Sequence, residues 1–403
     1  MAERFPGGVI SKTPPTVTPP VSGEGGSASG VWSLDEVLGY EKAGAWPKPF
    51  LPLELYAWGR GAFGSIGDNT VVDKSSPTQV GALTSWSVLG SRGYSGAAIQ
   101  LNGSLWAWGR NHHGQLGVGS QVYTSSPVQV GSLTNWQGVE SGQQSTLAVK
   151  TDGTLWSWGR NNQGQLGLND VNISRSSPVQ VGALTSWKKV SNCNFHTAAI
   201  TTSGNLYAWG YNTLGAVGDG TTIRRSSPVQ IGALSDWLDV SAGGYQTLAL
   251  RSNGTMWAWG YGNQGCIGNN SQANQSSPTQ VGALTTWAAV SSGFLHQMAI
   301  KTDGTIWSWG RNSLGQLGDG TTVDRSSPVQ IGALTNWSLI SAGGYNSFSI
   351  KEDGTLWGWG SNQQGRVGDS TTVYRSSPVQ IGSDTNWHRV SVGQGFSTAT
   401  TKG

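Results

Sequence analysis

The sequence predicts an all-β protein, a seven-bladed β-propeller of four-stranded antiparallel blades, and three observations carry that prediction. The pair Trp-Gly recurs at Trp58, Trp108, Trp158, Trp209, Trp259, Trp309 and Trp359, in steps of 50 or 51 residues. A second tryptophan keeps the same period at Trp86, Trp136, Trp187, Trp237, Trp287, Trp337 and Trp387, as does Ser-Ser-Pro, ending at Pro77, Pro127, Pro178, Pro228, Pro278, Pro328 and Pro378. Each copy also holds short alternating runs separated by glycine-rich turns. Copies at a fixed period near fifty signal a propeller or solenoid, and four short antiparallel strands per copy suit a propeller blade.

Composition narrows the function. Charged residues are 11% of the chain, less than half the usual share of about 25%. Glycine contributes 61 residues and tryptophan 21, the composition of tight turns joining aromatic strands. The net charge of +3 is small, and residues 1–51 hold four bases (Arg4, Lys12, Lys42, Lys48) against five acids (Glu3, Glu24, Asp35, Glu36, Glu41). A basic nucleic-acid arm is therefore not expected. No run approaches the 18 apolar residues of a membrane span, and the N-terminus lacks a signal-peptide core. Cys193 and Cys266 fall at non-equivalent places in different copies, so no disulfide is expected. With no zinc spacing or nearby histidine cluster, both read as minor core residues, and no metal or cofactor is expected.

Taken in order, residues 1–51 form an extended docking arm. Pro14-Pro15 and Pro19-Pro20 favour polyproline II, and the Gly/Ser run from Ser22 to Gly30 carries no core. Ser33 followed by Glu36 makes a capping box, with Trp32 placed to staple onto Val37. A short helix is expected over 34–43, ended by Gly44 and Pro47. Val31, Trp32, Leu34, Val37, Leu38 and Trp46 are too apolar for a free linker. They are the residues expected to dock, either onto the propeller itself or onto another protein.

Residues 52–403 are the propeller. In one copy, Thr154–Trp158 alternates, so that Trp156 and Trp158 share a face. The glycine-rich loop 160–167 follows. A second strand is expected near Pro178–Val181, with proline opening it, a third from Trp187 through Val190, and a fourth over Thr197–Thr201. Asp-Gly turns, as at Asp152-Gly153 and Asp303-Gly304, join alternating strands as hairpins do. Tryptophans at a fixed place in every copy read as wedges between blades. Each buries about 200 Å², worth up to about 5 kcal/mol before entropy is subtracted.

The long loop has a brace. Asp68, Asp219, Asp319 and Asp369 are followed six residues later by Lys74, Arg225, Arg325 and Arg375. Where the acid is lost (Val118, Asn269), so is the base (Thr124, Gln275), and the third copy offers Asp170 five before Arg175. Loss in pairs predicts an ion pair across the loop rather than a calcium site. The chain enters the array on the strand after an Asp-Gly turn, Glu54 to Gly59. It leaves on the strand before one, Phe396 to Gly403. Pairing these two ends closes the ring and removes both open edges.

The strings Leu-Trp-x-Trp-Gly, Gly-Gln-Leu-Gly and Val-Ser-x-Gly resemble the repeat of the regulator of chromosome condensation family. That resemblance covers residues 53–403 and implies a seven-bladed propeller. The family's histidine before the fourth strand maps onto His196 and His296, with Ser145, Gln246 and Asn346 elsewhere. Nucleotide exchange on a small GTPase, the activity of the family's founder, needs an inserted wedge that copies of 50 or 51 residues leave no room for. Its chromatin-binding basic tail is here acidic, and the Gly-Trp-Arg-His-Thr string of the ultraviolet-receptor branch is absent. Residues 7–15, 28–36 and 43–47 resemble N-terminal segments of virion and tail-appendage proteins of tailed bacteriophages.

The expected function is that of a bacteriophage virion structural protein. It is a tail-fibre or decoration appendage present in many copies, assembled in the host cytoplasm and joined to other virion proteins through residues 1–51. A host-surface glycan or protein is its expected outer partner. The alternative is a non-virion protein-interaction propeller of bacterial or host origin. An enzyme is not expected, because no nucleophile–base–acid set recurs and no phosphate-binding loop occurs. Candidate ligand residues lie before the fourth strand of each copy: Tyr94, Phe195, His196, Tyr245, His296 and Tyr345. They either receive a ligand or merely cap the channel.

Overall fold

The computed structural model describes residues 53–402. The docking-arm residues Val31, Trp32, Leu34, Val37, Leu38 and Trp46, and the helix expected over 34–43, lie outside the described residues. Among the described residues, twenty-eight strands pair into seven four-stranded antiparallel sheets. Blade 2 shows the pattern, running outward from the central channel through Trp136–Ser141, Ser145–Lys150, Leu155–Gly159 and Arg175–Gln180. Blade 1 occupies residues 86–129. Blades 3 to 6 begin at Trp187, Trp237, Trp287 and Trp337, and blade 7 combines residues 387–401 with 54–79.

Sequence copy and blade are out of phase. The first two strands of a copy finish one blade, and its last two open the next. That stagger makes ring closure a matter of two strands from each end. Glu54–Gly59 pairs with Phe396–Thr401 in an unbroken register from Glu54↔Thr401 to Gly59↔Phe396. Ala399 lies opposite Tyr56, as the end-pairing argument requires.

Two strand expectations need correction. The outer strand starts three residues earlier than expected, and Pro178 sits inside Arg175–Gln180 rather than opening it. It is tolerated there because the strand is an edge and its register with Leu155–Gly159 breaks between Arg175 and Val179, which spares proline a ladder bond. The inner strand also runs two residues longer, to Asn192.

The Trp-Gly tryptophans are wedges between blades. Trp158 of blade 2 packs against Ile99, Leu105 and Leu116 of blade 1, and its indole N–H donates to Gln115 O at 2.9 Å. Trp58 crosses the closing seam in the same way, packing on Phe348 and Leu356 and donating to Arg366 O at 3.0 Å. The glycine that follows each tryptophan is obligatory. Gly159 has φ +98°, and a Cβ there would lie 2.5 Å from Gln144 O.

The braces form as the sequence implied. Asp319 meets Arg325 at 2.8 Å, Asp369 meets Arg375 at 2.6 Å, and Asp68 meets Lys74 at 3.1 Å. Asp219 pairs with Arg225, and Asp170 reaches Arg175 at 2.6 Å. The same carboxylates hold the loop from within, since Asp319 Oδ1 accepts from Thr321 Oγ1 at 2.7 Å and from Asn312 Nδ2 at 3.0 Å. Cys193 and Cys266 are both buried and free.

Candidate interaction face

All inner-to-second-strand loops emerge at one end of the propeller, together with the long glycine-rich loops that follow each Trp-Gly. This loop face is built in three layers: a backbone collar, a plug in the channel, and an outer ring of variable side chains.

The collar draws the channel mouth tight. In five places a loop N–H donates to a carbonyl of the next blade's loop. These run from Gln143 to Cys193 O at 2.6 Å, Gly244 to Gly293 O at 3.3 Å, and Phe294 to Gly343 O at 3.0 Å. Gly344 to Gly393 O at 3.1 Å and Gln394 to Gly93 O at 3.2 Å complete the set. The approach leaves no room for a side chain at the first loop position of five blades, all of which hold glycine there. A Cβ on Gly343 would lie 2.7 Å from Gly393 O and 2.3 Å from Val392 Cγ1. Beneath the collar, serine hydroxyls knit neighbouring inner strands. Ser191 Oγ accepts from Ala242 N, Ser291 Oγ from Ala342 N and Ser391 Oγ from Ser91 N, each at 3.0 Å.

Arg92 plugs the channel. It leaves blade 1 where five other blades hold glycine and blade 3 holds Cys193, and crosses to donate to Ala242 O at 2.7 Å, Ser292 O at 2.9 Å and Ser241 Oγ at 3.1 Å. Its Nε lies 3.7 Å from Glu140 Oε2. Burial pushes the Glu140 carboxyl above the usual range, with Arg92 and then Lys189 opposing. At the opposite end the channel opens into a cavity of about 240 Å³, lined by Val88, Glu140, Lys188, Lys189, Leu339 and Arg389.

The candidate residues divide sharply. Tyr94, Phe195, Tyr245 and Tyr345 are half-buried at the mouth. His196 and His296 are not on the face at all. Both are fully buried, and their Nε2 atoms meet the next blade's hydroxyls, Thr247 Oγ1 at 2.8 Å and Ser347 Oγ at 2.9 Å. Burial lowers the His196 pKa to about 4, helped by Arg92, and burial alone lowers His296 to about 3. These two histidines therefore leave the ligand set: they open a strand whose first side chain points into the inter-blade seam.

What remains joins residues that sequence reading missed. Across blades 3 to 6, aromatic rings run in a continuous arc, with centroid spacings of 5.6 Å for Phe195–Tyr245, 5.7 Å for Tyr245–Phe294 and 6.0 Å for Phe294–Tyr345. Tyr211 and Tyr261 flank it at 5.8 and 6.3 Å from Tyr245. Across blades 7, 1 and 2 the face is basic instead. Arg60 and Arg110 lie 6.0 and 5.4 Å from the Phe63 ring, which packs 6.0 Å from Tyr94. His113 titrates below the ordinary histidine range because of burial and then of Arg160, Arg110 and His112.

One signal in the sequence marks this division in part, with Arg311 of blade 5 breaking it. The residue after Trp-Gly is Arg60, Arg110, Arg160 and Arg311 in four copies but Tyr211 and Tyr261 in two. Phe294 had no such marker, because it sits one residue out of step with Tyr245 and Tyr345. Among the described residues no group of three or more His, Cys, Asp or Glu side chains is placed to hold a metal. No helix among them is long and apolar enough to cross a membrane.

A closed ring of seven staggered four-stranded blades defines a seven-bladed β-propeller. Sequence comparison specifies it further. The model of the Regulator of chromosome condensation (RCC1) repeat matches residues 102–149, 152–200, 203–250, 253–300, 303–350 and 353–400. A second model of that repeat matches 136–165, 287–316 and 337–366. The chain belongs to the RCC1 repeat family, whose propellers are typically protein-interaction or exchange-factor modules.

No curated protein matches the sequence. Solved structures do match the fold. Human WBSCR16 superposes with a TM-score of 0.79 at 20% identity, covering 87% of this chain and 99% of that one. Yeast RCC1 (Prp20), bound to Kap60, gives 0.78 at 16% identity over 87% and 89%. Prp20p from Saccharomyces cerevisiae, described with its binding to Gsp1p and histones, gives 0.77 at 17% over 87% and 92%. Identities this low speak for the fold alone.

Proposed function

We propose that the protein is a bacteriophage virion structural protein, a tail-fibre or decoration appendage. Residues 1–51 join it to other virion proteins, and the propeller is displayed in multiple copies with its loop face turned to a host-surface partner. The observation that carries the display role is the contrast between a framework repeated around the ring and a loop face that is not. The collar closes the mouth with backbone bonds, which leaves the aromatic arc and the arginines beside it free to vary. Half-exposed aromatic and arginine side chains are the groups enriched where proteins recognise partners. The virion setting is supported by the likeness of residues 7–15, 28–36 and 43–47 to phage appendage segments.

Antibody labelling of purified particles tests the setting. The protein is expected on intact particles and lost from them when residues 1–51 are deleted, while the remaining propeller still folds. Absence from purified particles would overturn the virion reading. It would favour an interaction propeller without a virion role, the reading supported by the fold's likeness to yeast RCC1 bound to Kap60.

A further inference from the structure

Between successive blades, the outer strand of one and the tryptophans of the next enclose a groove. Three of these grooves are well-formed cavities: about 510 Å³ between blades 1 and 2, 420 Å³ between blades 4 and 5, and 350 Å³ between blades 5 and 6. All three lie in the size range of small-molecule sites, and none touches the loop-face arc.

Each groove has the same aromatic corner. In blade 2, Trp136 and Trp156 meet edge to face at 6.3 Å and 82°. Trp156 is held rigidly, because its indole N–H donates to Thr154 Oγ1 at 2.9 Å, and Thr154 Oγ1 donates to Asp152 at 2.6 Å. Its ring remains partly exposed. Blades 5 and 6 repeat the corner with Trp287–Trp307 and Trp337–Trp357 at 6.0 and 5.9 Å.

The groove between blades 1 and 2 differs in its wall, where Val118 stands in place of Asn269 and Asp319. Lys150 lines it while only 7% exposed. Its ammonium lies 3.8 Å from the Trp156 centroid and 5.0 Å from that of Trp136. Among the described residues it has neither a hydrogen-bond acceptor nor a carboxylate within ion-pair distance. A cation held against aromatic faces gains about 0.5–2 kcal/mol, and its three N–H donors take no protein acceptor among the described residues. Lys301 and Lys351 sit over their tryptophans at the same 3.8 Å, and Lys351 is as buried as Lys150, at 8% exposed. In the blade 5–6 groove Asp319 adds a carboxylate to the wall, whereas the matching residue between blades 1 and 2 is Val118. The amide of Gln129 and the hydroxyl of Ser177 complete the rim beside Leu133.

We propose that the blade 1–2 groove binds a uronic-acid residue of an acidic polysaccharide, its pyranose ring against Trp156 and Leu133 and its carboxylate on Lys150. The apolar C–H face of a sugar suits an indole held in one orientation, and its hydroxyls suit the amide and hydroxyl of the rim. A carboxylate supplies the charge-assisted bond that the lysine lacks. This assignment is independent of the loop-face reading and stands whether or not the protein resides in a virion.

Calorimetric titration of the full chain with tetragalacturonate, maltotetraose and tetraglutamate tests it. Tetragalacturonate is expected to bind at least ten times more tightly than the other two. Lys150→Gln should weaken it at least tenfold, and Lys351→Gln should leave it unchanged. Leu133→Glu, at a position 47% exposed, should abolish binding with the melting temperature retained, and it decides the matter if Lys150→Gln fails to fold. Equal binding of maltotetraose, or uronate binding untouched by Leu133→Glu, would overturn the proposal. Preference for tetraglutamate would overturn it too, by giving the groove to an acidic peptide.

Discussion

The two ends of the propeller are built on opposite rules. At the turn end, an acid or amide, a hydroxyl and an indole form a relay in five blades, while blades 3 and 7 carry Tyr207 and Tyr56 in place of the indole. Asp303, Thr305 and Trp307 are linked by bonds of 2.6 and 3.0 Å, Asp353, Thr355 and Trp357 by 2.6 and 2.9 Å, and Asn253, Thr255 and Trp257 by 2.7 and 3.0 Å. At the loop end, the slot after Trp-Gly holds arginine, tyrosine or serine according to the blade. The difference teaches where the fold is specified. Side chains hold the turn end, so their identity changes in only two of the seven blades. Backbone bonds and small residues hold the loop mouth, so the outer side chains there are released from structural duty.

The largest break in that contrast comes from deleting residues 395–403. The deletion removes a strand paired at six positions with Glu54–Gly59, along with the buried Phe396 and Ala399, and it exposes two strand edges at once. Loss of cooperative folding and aggregation are expected by thermal melting and size-exclusion chromatography. An unchanged melt would mean that the seam is not what holds the ring.

The buried histidines should come next, and they impose a pH dependence. Both are neutral when folded, with pKa values lowered to about 4 for His196 and about 3 for His296. The unfolded chain takes up their protons near pH 6.5. Their contribution is therefore complete above pH 6.5 and is lost as pH falls toward 4 and 3. The slope approaches 1.4 kcal/mol per pH unit for each histidine. Denaturant titrations between pH 7 and 4.5 should show this slope, and His196→Gln with His296→Gln should flatten it, since Gln246 occupies the same place in blade 4. A slope kept by the double variant would assign the effect elsewhere.

Smaller still is the collar glycine. Gly343→Ala forces a Cβ within 2.7 Å of a neighbouring backbone oxygen, and a loss of about 1–3 kcal/mol is expected in denaturant unfolding. The loop brace should matter less again to stability. Arg325→Gln removes an ion pair whose arginine is 35% exposed, costing about 0–1 kcal/mol. A melt lowered more by Arg325→Gln than by Gly343→Ala would reverse the order that the contrast predicts.

How much of this was legible follows from the same division. Period and phase were enough for seven blades, the closing hairpin and the Asp–Arg braces, because each depends on residues that recur or vanish together. The phase of the sheets was not, since hydrogen-bond partners of a strand are not written in its own residues. The buried loop asparagines were also passed over. Asn312 is fully buried and bonds Leu317 N at 3.0 Å and Val323 O at 3.2 Å, yet an asparagine in a glycine-rich loop reads as ordinary turn chemistry. On the loop face, alignment of copies found Tyr94, Phe195, Tyr245 and Tyr345. It also admitted His196 and His296, because the adjacent position in an alternating strand turns inward.

The smallest expected effect on stability is the most informative about function. Tyr245 and Tyr345 are half-buried on the loop face, and each touches the arc through Phe294 at 5.7 and 6.0 Å. Neither side chain takes part in the collar, whose bonds at these loops run between backbone atoms of Gly244, Gly293, Gly344 and Gly393. Replacing both by alanine removes edge-to-face contacts worth about 0.5–1.5 kcal/mol in a fully packed setting, and less here because the rings are partly in water. The double variant should therefore melt within a few degrees of the parent. If the arc is a recognition surface, adsorption of particles to host cells should fall by an order of magnitude or more, because aromatic residues of this kind carry a large share of interface energy. If the rings only shield the mouth, adsorption should hold while the melt shifts. The two readouts move in opposite senses under the two readings, so one variant separates a displayed surface from a cap.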